Sequence, residues 1–389
     1  MRPFSLVPRL VCFAVMISSL YSLSLPASAN PFNFKGQAST WLAFNDAPSL
    51  TLGFGLRYTP IFSWTRPLSS RLTLDAEASA DAYAAASSSA NVEEATEMRL
   101  NLYRAWVRLS TARFEARLGL QKINFGSASL LRPLMWFDRV DPRDPLQMTE
   151  GVRGLLVRYF FRGNANAWAW ALYGNDENKG WEESPTAKRT VEFGGRIQAP
   201  LFKGELGLTF HRRRADLGRG IISAGVSLAD PVAPEERWAI DGKWDIGIGI
   251  WTEAVMVHQH HAGHPYPFQR FFTIGADTTL AVGNGLHLTV EHLNLSTAPG
   301  FWESGQAGNF TALTASLPLG LFDNLSVMVF YDWSSRNLFH FLNWQRTFDW
   351  WQFFAIAFWN PESGGISPNT LGINAFAGKG FRLMLVINH

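Results

Sequence analysis

Apolar and polar residues alternate singly along most of this chain. Over 113–121, Phe114, Ala116, Leu118 and Leu120 share one face, and Arg113, Glu115, Arg117, Gly119 and Gln121 share the other. The same period recurs at 191–199, where Val191, Phe193, Ile197 and Ala199 oppose Glu192, Gly194, Arg196 and Gln198. It recurs at 205–211, with Leu206, Leu208 and Phe210 against Glu205, Gly207, Thr209 and His211. At 381–388, Phe381, Leu383, Leu385 and Ile387 oppose Arg382, Met384, Val386 and Asn388. A period of two is the geometry of a β-strand. The polar faces carry charges such as Arg117, Arg158, Arg196 and Glu253, which suit a watered interior better than the dry core of a sandwich. No unit of about 40–50 residues repeats, which disfavours a propeller.

The gaps between alternating runs also alternate. Short turns fall near 110–112, 162–164, 200–204, 245–247, 283–285 and 347–349. Longer connections fall near 86–97, 123–151, 174–188, 215–235, 260–267, 297–308 and 360–378. Short turns on one side and long loops on the other are the rule for a barrel that spans a membrane. The segments so bounded are 36–45, 49–64, 71–85, 98–109, 113–122, 152–161, 165–173, 189–199, 204–213, 236–244, 247–259, 268–281, 285–296, 308–317, 324–333, 337–346, 350–359 and 379–389. This predicts an all-β, closed antiparallel transmembrane barrel of about eighteen strands, with sixteen as the alternative count.

Composition agrees with this class. The chain holds 16 tryptophans and 30 phenylalanines, yet only 17% charged residues. Soluble domains average about 25%. Trp238 and Trp244 bracket one segment, and Trp350, Trp351, Phe358 and Trp359 another, as expected of rings at membrane–water interfaces. After the first segment, no run approaches the roughly 18 apolar residues of a transmembrane helix. A closed barrel is the other structure that satisfies every backbone hydrogen bond in lipid.

Residues 1–29 read as a secretory signal peptide. Arg2 and Arg9 precede the apolar Leu10–Leu25 stretch, and Ala27-Ser28-Ala29 is a small-x-small cleavage site. The expected mature domain is 30–389. The leader holds two arginines and no acid, so the mature chain is expected to have as many basic as acidic residues. That balance points away from nucleic acid. The one cysteine, Cys12, lies in the leader, which excludes thiolate chemistry, disulfides and cysteine zinc sites from the mature protein.

Arg117-Leu118-Gly119-Leu120-Gln121 followed by Phe125-Gly126 resembles a strand end of porin-like and alginate-export-like barrels. The final run, Phe381 to His389, is similar to the C-terminal signal read by the outer-membrane assembly machinery, although that signal usually ends in an aromatic such as Phe. The pattern covers nearly all of 31–389, and its motifs about twenty residues. The resemblance implies an outer-membrane channel in contact with outer-membrane lipid and lipopolysaccharide. It leaves oligomerisation open. In general porins the loop after strand five folds into the barrel, and 123–151 stands in that place. Their Pro-Glu-Phe-Gly-Gly loop motif is absent, so the likeness is one of position.

Ser127 to Phe137 reads as a short helix within this loop. Asp138, Arg139, Asp141, Arg143 and Asp144 follow as a charge cluster that could set a transverse field. The plain alternative is a solvated outer loop with turns at Asp141-Pro142 and Asp144-Pro145. By phase, Arg104, Arg108, Arg117, Gln121, Arg158, Glu192, Arg196, Glu205 and Glu253 line the lumen. Either the arginines attract anions, or they pair with Glu115, Glu192, Glu205 and Glu253 and stiffen the wall. Asp138, Asp141 and Asp144 are expected to face lumen arginines, with Arg117 and Arg158 as the candidates.

His258, His260, His261 and His264 suggest a metal, but no carboxylate or cysteine neighbours them in the sequence. No metal or cofactor is expected. His211, His287 and His292 would be needed for a barrel hydrolase, but no Gly-x-Ser-x-Gly elbow occurs. A TonB-dependent receptor needs a plug domain ahead of its barrel, and here the alternation starts close to Asn30. The sequence therefore points to a porin for passive diffusion of small polar or charged solutes. The alternatives are an exporter of polysaccharide or another anionic substrate, which needs a continuous arginine track, and a barrel enzyme.

Overall fold

A computed structural model describes residues 31–46, 50–89, 92–219, 231–261, 265–362 and 376–389. The expected leader, 1–29, lies outside these residues. Eighteen antiparallel strands close on themselves. They are β1 (Phe32–Asn45), β2 (Thr51–Pro67), β3 (Thr73–Ser89), β4 (Val92–Ser110), β5 (Phe114–Gln121), β6 (Val152–Phe160), β7 (Asn166–Tyr173), β8 (Val191–Leu201) and β9 (Gly204–Asp216). The ring continues through β10 (Val232–Asp245), β11 (Gly249–Gln259), β12 (Phe268–Leu280), β13 (Leu286–Ala298), β14 (Gln306–Pro318), β15 (Asp323–Asp332), β16 (Asn337–Thr347), β17 (Trp351–Trp359) and β18 (Lys379–Asn388). β18 pairs with β1, Trp41 opposite Met384, so the wall has no open edge there. The Gly36 amide donates to the His389 carbonyl at 2.9 Å, which sets the start of β1 and the end of β18 together at the short-turn end of the barrel.

Each strand has one apolar outward face. Leu118 and Ile197 are each 62% exposed and Leu208 is 55% exposed, while the residues between them turn inward. Such a face suits lipid, and no helix among the described residues is long and apolar enough to cross a membrane. Gly119 has φ of 125°, and a Cβ there would meet the Ala105 carbonyl of β4 at 2.1 Å. The glycine of the Arg-Leu-Gly-Leu-Gln run is thus required by the close approach of β5 to β4.

Two expectations fail. The connection expected at 86–97 is almost wholly strand, since β3 reaches Ser89 and β4 starts at Val92. Ala84-Ala85-Ala86 and Ser87-Ser88-Ser89 carry no apolar–polar contrast, so their strand period is invisible in sequence. The helix expected over 127–137 is absent; that stretch has turns and bends only. Its amides have other partners.

Candidate functional site

The loop 122–151 leaves β5 and turns into the barrel. The Gln121 side chain holds the turn, donating to the Arg117 carbonyl at 3.1 Å and the Gly154 carbonyl at 3.0 Å. Ile123, Leu131, Leu134, Trp136 and Phe137 are buried, packed in one cluster with the inward side chains Leu156, Leu172, Val255, Phe271 and Leu293 of the wall. Phe125 stacks on Trp170 of β7 at 5.7 Å.

Two carboxylates on the far wall then take the loop's backbone. Glu253 of β11 accepts from the amides of Ser127 (2.6 Å), Ala128 (2.7 Å) and Leu134 (3.3 Å). Glu291 of β13 accepts from Ser129 (2.6 Å), Leu130 (2.9 Å) and Leu131 (2.6 Å), and from the Trp251 indole at 2.9 Å. Amides satisfied in this way have no need of helical carbonyls, which accounts for the missing helix. Thr273 donates to the Leu131 carbonyl at 3.0 Å. On its return the loop is tied to β4, where Arg104 donates to the Thr149 carbonyl at 2.9 Å.

A second loop, 174–190, packs on the first. The Trp181 indole donates to the Arg132 carbonyl at 2.9 Å, and the Gly180 amide to the Asp138 carbonyl at 3.1 Å. It is anchored by a buried charge cluster. Arg213 meets Glu235 at 2.6 Å and Glu182 at 3.2 Å, and Arg237 meets Glu182 at 2.7 Å. Sequence reasoning missed Asp241, Glu291 and this whole cluster. The signal that could have found the strand members is the period of two, which puts Arg213, Glu235 and Arg237 on inward faces.

The candidate lumen residues divide. Arg104, Gln121, Glu192, Arg196 and Glu253 point inward but are buried, so they do not line open space. Arg196 pairs with Asp241 at 2.5 Å, and Glu192 meets His211 at 3.3 Å. The others keep some exposure. Arg108 meets Asp75 at 3.0 Å, and Arg117 meets Glu115 at 3.0 Å. Arg158 lies 3.9 Å from Glu115 and 3.9 Å over the Trp168 ring. Glu205 accepts from Gln198 at 2.6 Å.

The loop charges also divide. Asp138 is buried against Arg132 at 3.3 Å, and that burial pushes its carboxyl above the usual range. Arg139 meets Glu150 at 2.7 Å. Burial alone would raise Glu150, but Lys179 and Arg139 hold it down at about 2. Asp141 and Arg143 pair with each other at 2.7 Å. Asp144 is pushed up by burial, and the Leu146 amide and the positive charges of Arg57 and Arg382 oppose that rise. The expected opposition to Arg117 and Arg158 is therefore corrected. Those two arginines gather on Glu115, and the arginines near Asp144 are on β2 and β18.

That side of the lumen is the less filled one. Arg57 meets Asp81 at 3.1 Å, and Arg57 and Arg99 lie 5.1 and 4.3 Å over the Tyr83 ring. Arg382 lies 4.8 Å over Phe376. A cavity of about 260 Å³ lies beside them, lined by Arg57, Asp81, Arg99, Asn101, Glu150 and Lys179 among others. No metal-holding group of His, Cys, Asp or Glu occurs among the described residues. His258 and His260 sit on the barrel's outside with rings 3.9 Å apart, and His264 lies outside the described residues.

No family model and no curated protein matches the chain. Solved structures do. The chain is similar to OccAB4 of Acinetobacter baumannii (TM-score 0.54, 9% identity, covering 94% of this chain and 100% of that one). It is similar to an anion-selective porin from Comamonas acidovorans (TM-score 0.50, 13% identity, 92% of this chain and 99% of that one). It is also similar to the trimer form of in-vitro folded OmpT, an outer membrane protein of Vibrio cholerae (TM-score 0.51, 11% identity, 93% of this chain and 100% of that one). The likeness is one of fold: this chain has the closed antiparallel wall found in outer-membrane porins.

Proposed function

We propose that the chain is an outer-membrane channel for passive diffusion of small polar or charged solutes, with 122–151 as its constriction. The observation that carries this reading is the asymmetry of the filling. The apolar part of the loop lies against the β6–β17 wall, Leu146 packs on β17 and β18, and a cavity remains beside the charged residues Arg57, Asp81 and Arg99 of β2–β4. Charges of both signs across a narrow, low-dielectric opening favour polar or zwitterionic permeants over apolar ones. The likeness to a structure described as an anion-selective porin supports a pore. The trimer form of OmpT is a precedent for oligomerisation, and β18 is the segment the assembly machinery would read.

We read no enzyme here. His211, one of the histidines a hydrolase would call on, is enclosed by Phe137 and Trp136 and bonded to Trp170 and Glu192. The test is single-channel conductance of purified protein in planar bilayers, with and without residues 127–145. The expected result is a conducting wild type and a deletion of higher conductance. Equal conductance sinks the constriction, and no conductance from either protein sinks the channel.

A further inference from the structure

Trp168 of β7 stands between two inward arginines. Register sets Arg158 of β6 on one side of it and Arg196 of β8 on the other. The two arginines are held differently. Arg196 donates to both carboxylate oxygens of Asp241, to Thr209 Oγ1 at 2.8 Å and to Gln198 Oε1 at 3.2 Å. The Arg158 Nε has no hydrogen-bond partner among the described residues. Glu115 Oε1 lies 3.9 Å from its Nη1, beyond hydrogen-bond reach. What supports this guanidinium is the Trp168 ring, 3.9 Å beneath it.

A guanidinium bonded to a carboxylate spends its N–H fork and is neutralised. One that rests on an aromatic face keeps both fork and charge. Glu115 is the carboxylate that competes for Arg158. It already accepts from Arg117 at 3.0 Å, and Arg108 lies 3.8 Å from its other oxygen. A partly exposed ion pair and a cation over an indole are of comparable strength, so the presence of the ring decides where Arg158 rests. The ring is itself fixed from the loop side. Phe125 meets it edge-on at 6.3 Å, and it packs against the buried cluster that the loop shares with the wall. The Trp168 indole nitrogen has no hydrogen-bond partner among the described residues, so ring contacts place this side chain.

We propose that Trp168 is a positioning residue for the selectivity of the channel: it holds the Arg158 guanidinium off Glu115 and keeps that charge available to passing solutes on the short-turn side of the loop. Because Phe125 presses on the same ring, the placement of the loop and the charge presented beneath it are linked. This role rests on the channel reading, since it acts through permeants.

The test measures reversal potentials of the full barrel in planar bilayers across a potassium chloride gradient. R158Q removes the charge and is expected to lower the chloride-to-potassium permeability ratio about two- to threefold. W168L lets Arg158 fall onto Glu115 and should lower the ratio in the same direction. W168F restores a ring face and should recover the wild-type ratio. Two further comparisons separate positioning from a merely structural role. W168L should have no effect in the R158Q background, where no arginine is left to hold. It should have none in the E115Q background, where the competing carboxylate is gone. A W168L shift that persists in either background overturns the assignment, as does W168L equal to wild type or W168F equal to W168L. Heat-modifiable migration confirms a folded barrel, and W168M takes the place of W168L in every comparison should the leucine variant fail to fold. A wild type that does not conduct sinks the channel and this role with it. Conducting proteins that share one permeability ratio sink the role of Trp168 and leave the channel standing.

Discussion

The two sides of this lumen treat inward charges differently. On the β7–β13 side, charges are sealed and saturated: Arg213 and Glu235 are each 1% exposed, and Arg196 and Asp241 each 3%. On the β2–β5 side, Arg108 is 31% exposed and Arg117 16%, in pairs that solvent still reaches. Sealed pairs hold loops in place and cannot serve a solute. Partly exposed pairs stabilise less, and their charge remains available to whatever passes. Position beneath the two loops, not residue type, decides which role an arginine takes.

The largest expected effect breaks the sealed side. Arg213→Met leaves two buried carboxylates, Glu182 and Glu235, to one cation, Arg237, and the uncompensated buried charge should cost about 3–5 kcal/mol. Arg108→Gln should cost less, about 1–2 kcal/mol, because Asp75 keeps its Thr65 hydrogen bond and solvent reaches the Arg108 end of the pair. Urea unfolding in lipid, followed by tryptophan fluorescence, measures both. Equal losses would mean that water reaches the Arg213 cluster and that the two sides do not differ.

Next comes release of the loop, an effect on the loop's position rather than on the unfolding of the barrel. Glu253→Ala with Glu291→Ala strips the partners from six loop amides. Each orphaned donor costs about 1–3 kcal/mol, and about 5.5 kcal/mol inverts a 1:99 population. The double variant should therefore populate a displaced loop, with higher conductance and protease cleavage within 123–151. Unchanged conductance and protection would show that apolar packing alone holds the loop.

Much of the wall was legible because lipid forces an apolar residue at every second position. The reading lost its footing where Ala and Ser removed the contrast, at 84–89, and at strand ends that run on into the expected loops, as in β4 from Val92 and β10 from Val232. The loop was legible in one respect: Leu130, Leu131, Leu134, Met135, Trp136 and Phe137 are too apolar to stand in water. Their partners were not legible. Ser127 and Glu253 are 126 residues apart, and Ser129 and Glu291 are 162 apart; no local pattern links an amide to a carboxylate on a distant strand. The helix expectation failed for the same reason, since local propensity was overridden by tertiary acceptors. Arg382 was placed on the polar face of its strand, but nothing in sequence brings it near Asp144.

A smaller effect sharpens the open side. Asp144→Asn removes a negative charge near Arg57 and Arg382, so reversal potentials across a salt gradient should move toward anion preference. Arg382→Gln should move them toward cations. Shifts of the same sign in both variants would show that these residues do not oppose one another along the permeant's path.

The smallest effect is the response of wild type to pH. Burial raises the Asp144 carboxyl above its ordinary value, so Asp144 takes up a proton at a higher pH than an exposed aspartate, whose value is about 3.9. Acidification should then discharge Asp144 while Glu150, held at about 2 by Lys179 and Arg139, stays charged. The cationic side of the opening gains, and anion preference should rise before ordinary carboxylates titrate. For stability, a raised folded value means that Asp144's contribution is fully present below the unfolded value and is lost as pH rises through the folded one. Acid should therefore shift selectivity without this group weakening the barrel. The same titration on Asp144→Asn isolates the group: its early selectivity shift should vanish while the response at lower pH remains. If the variant titrates like wild type, another carboxylate on the open side carries the charge that permeants meet.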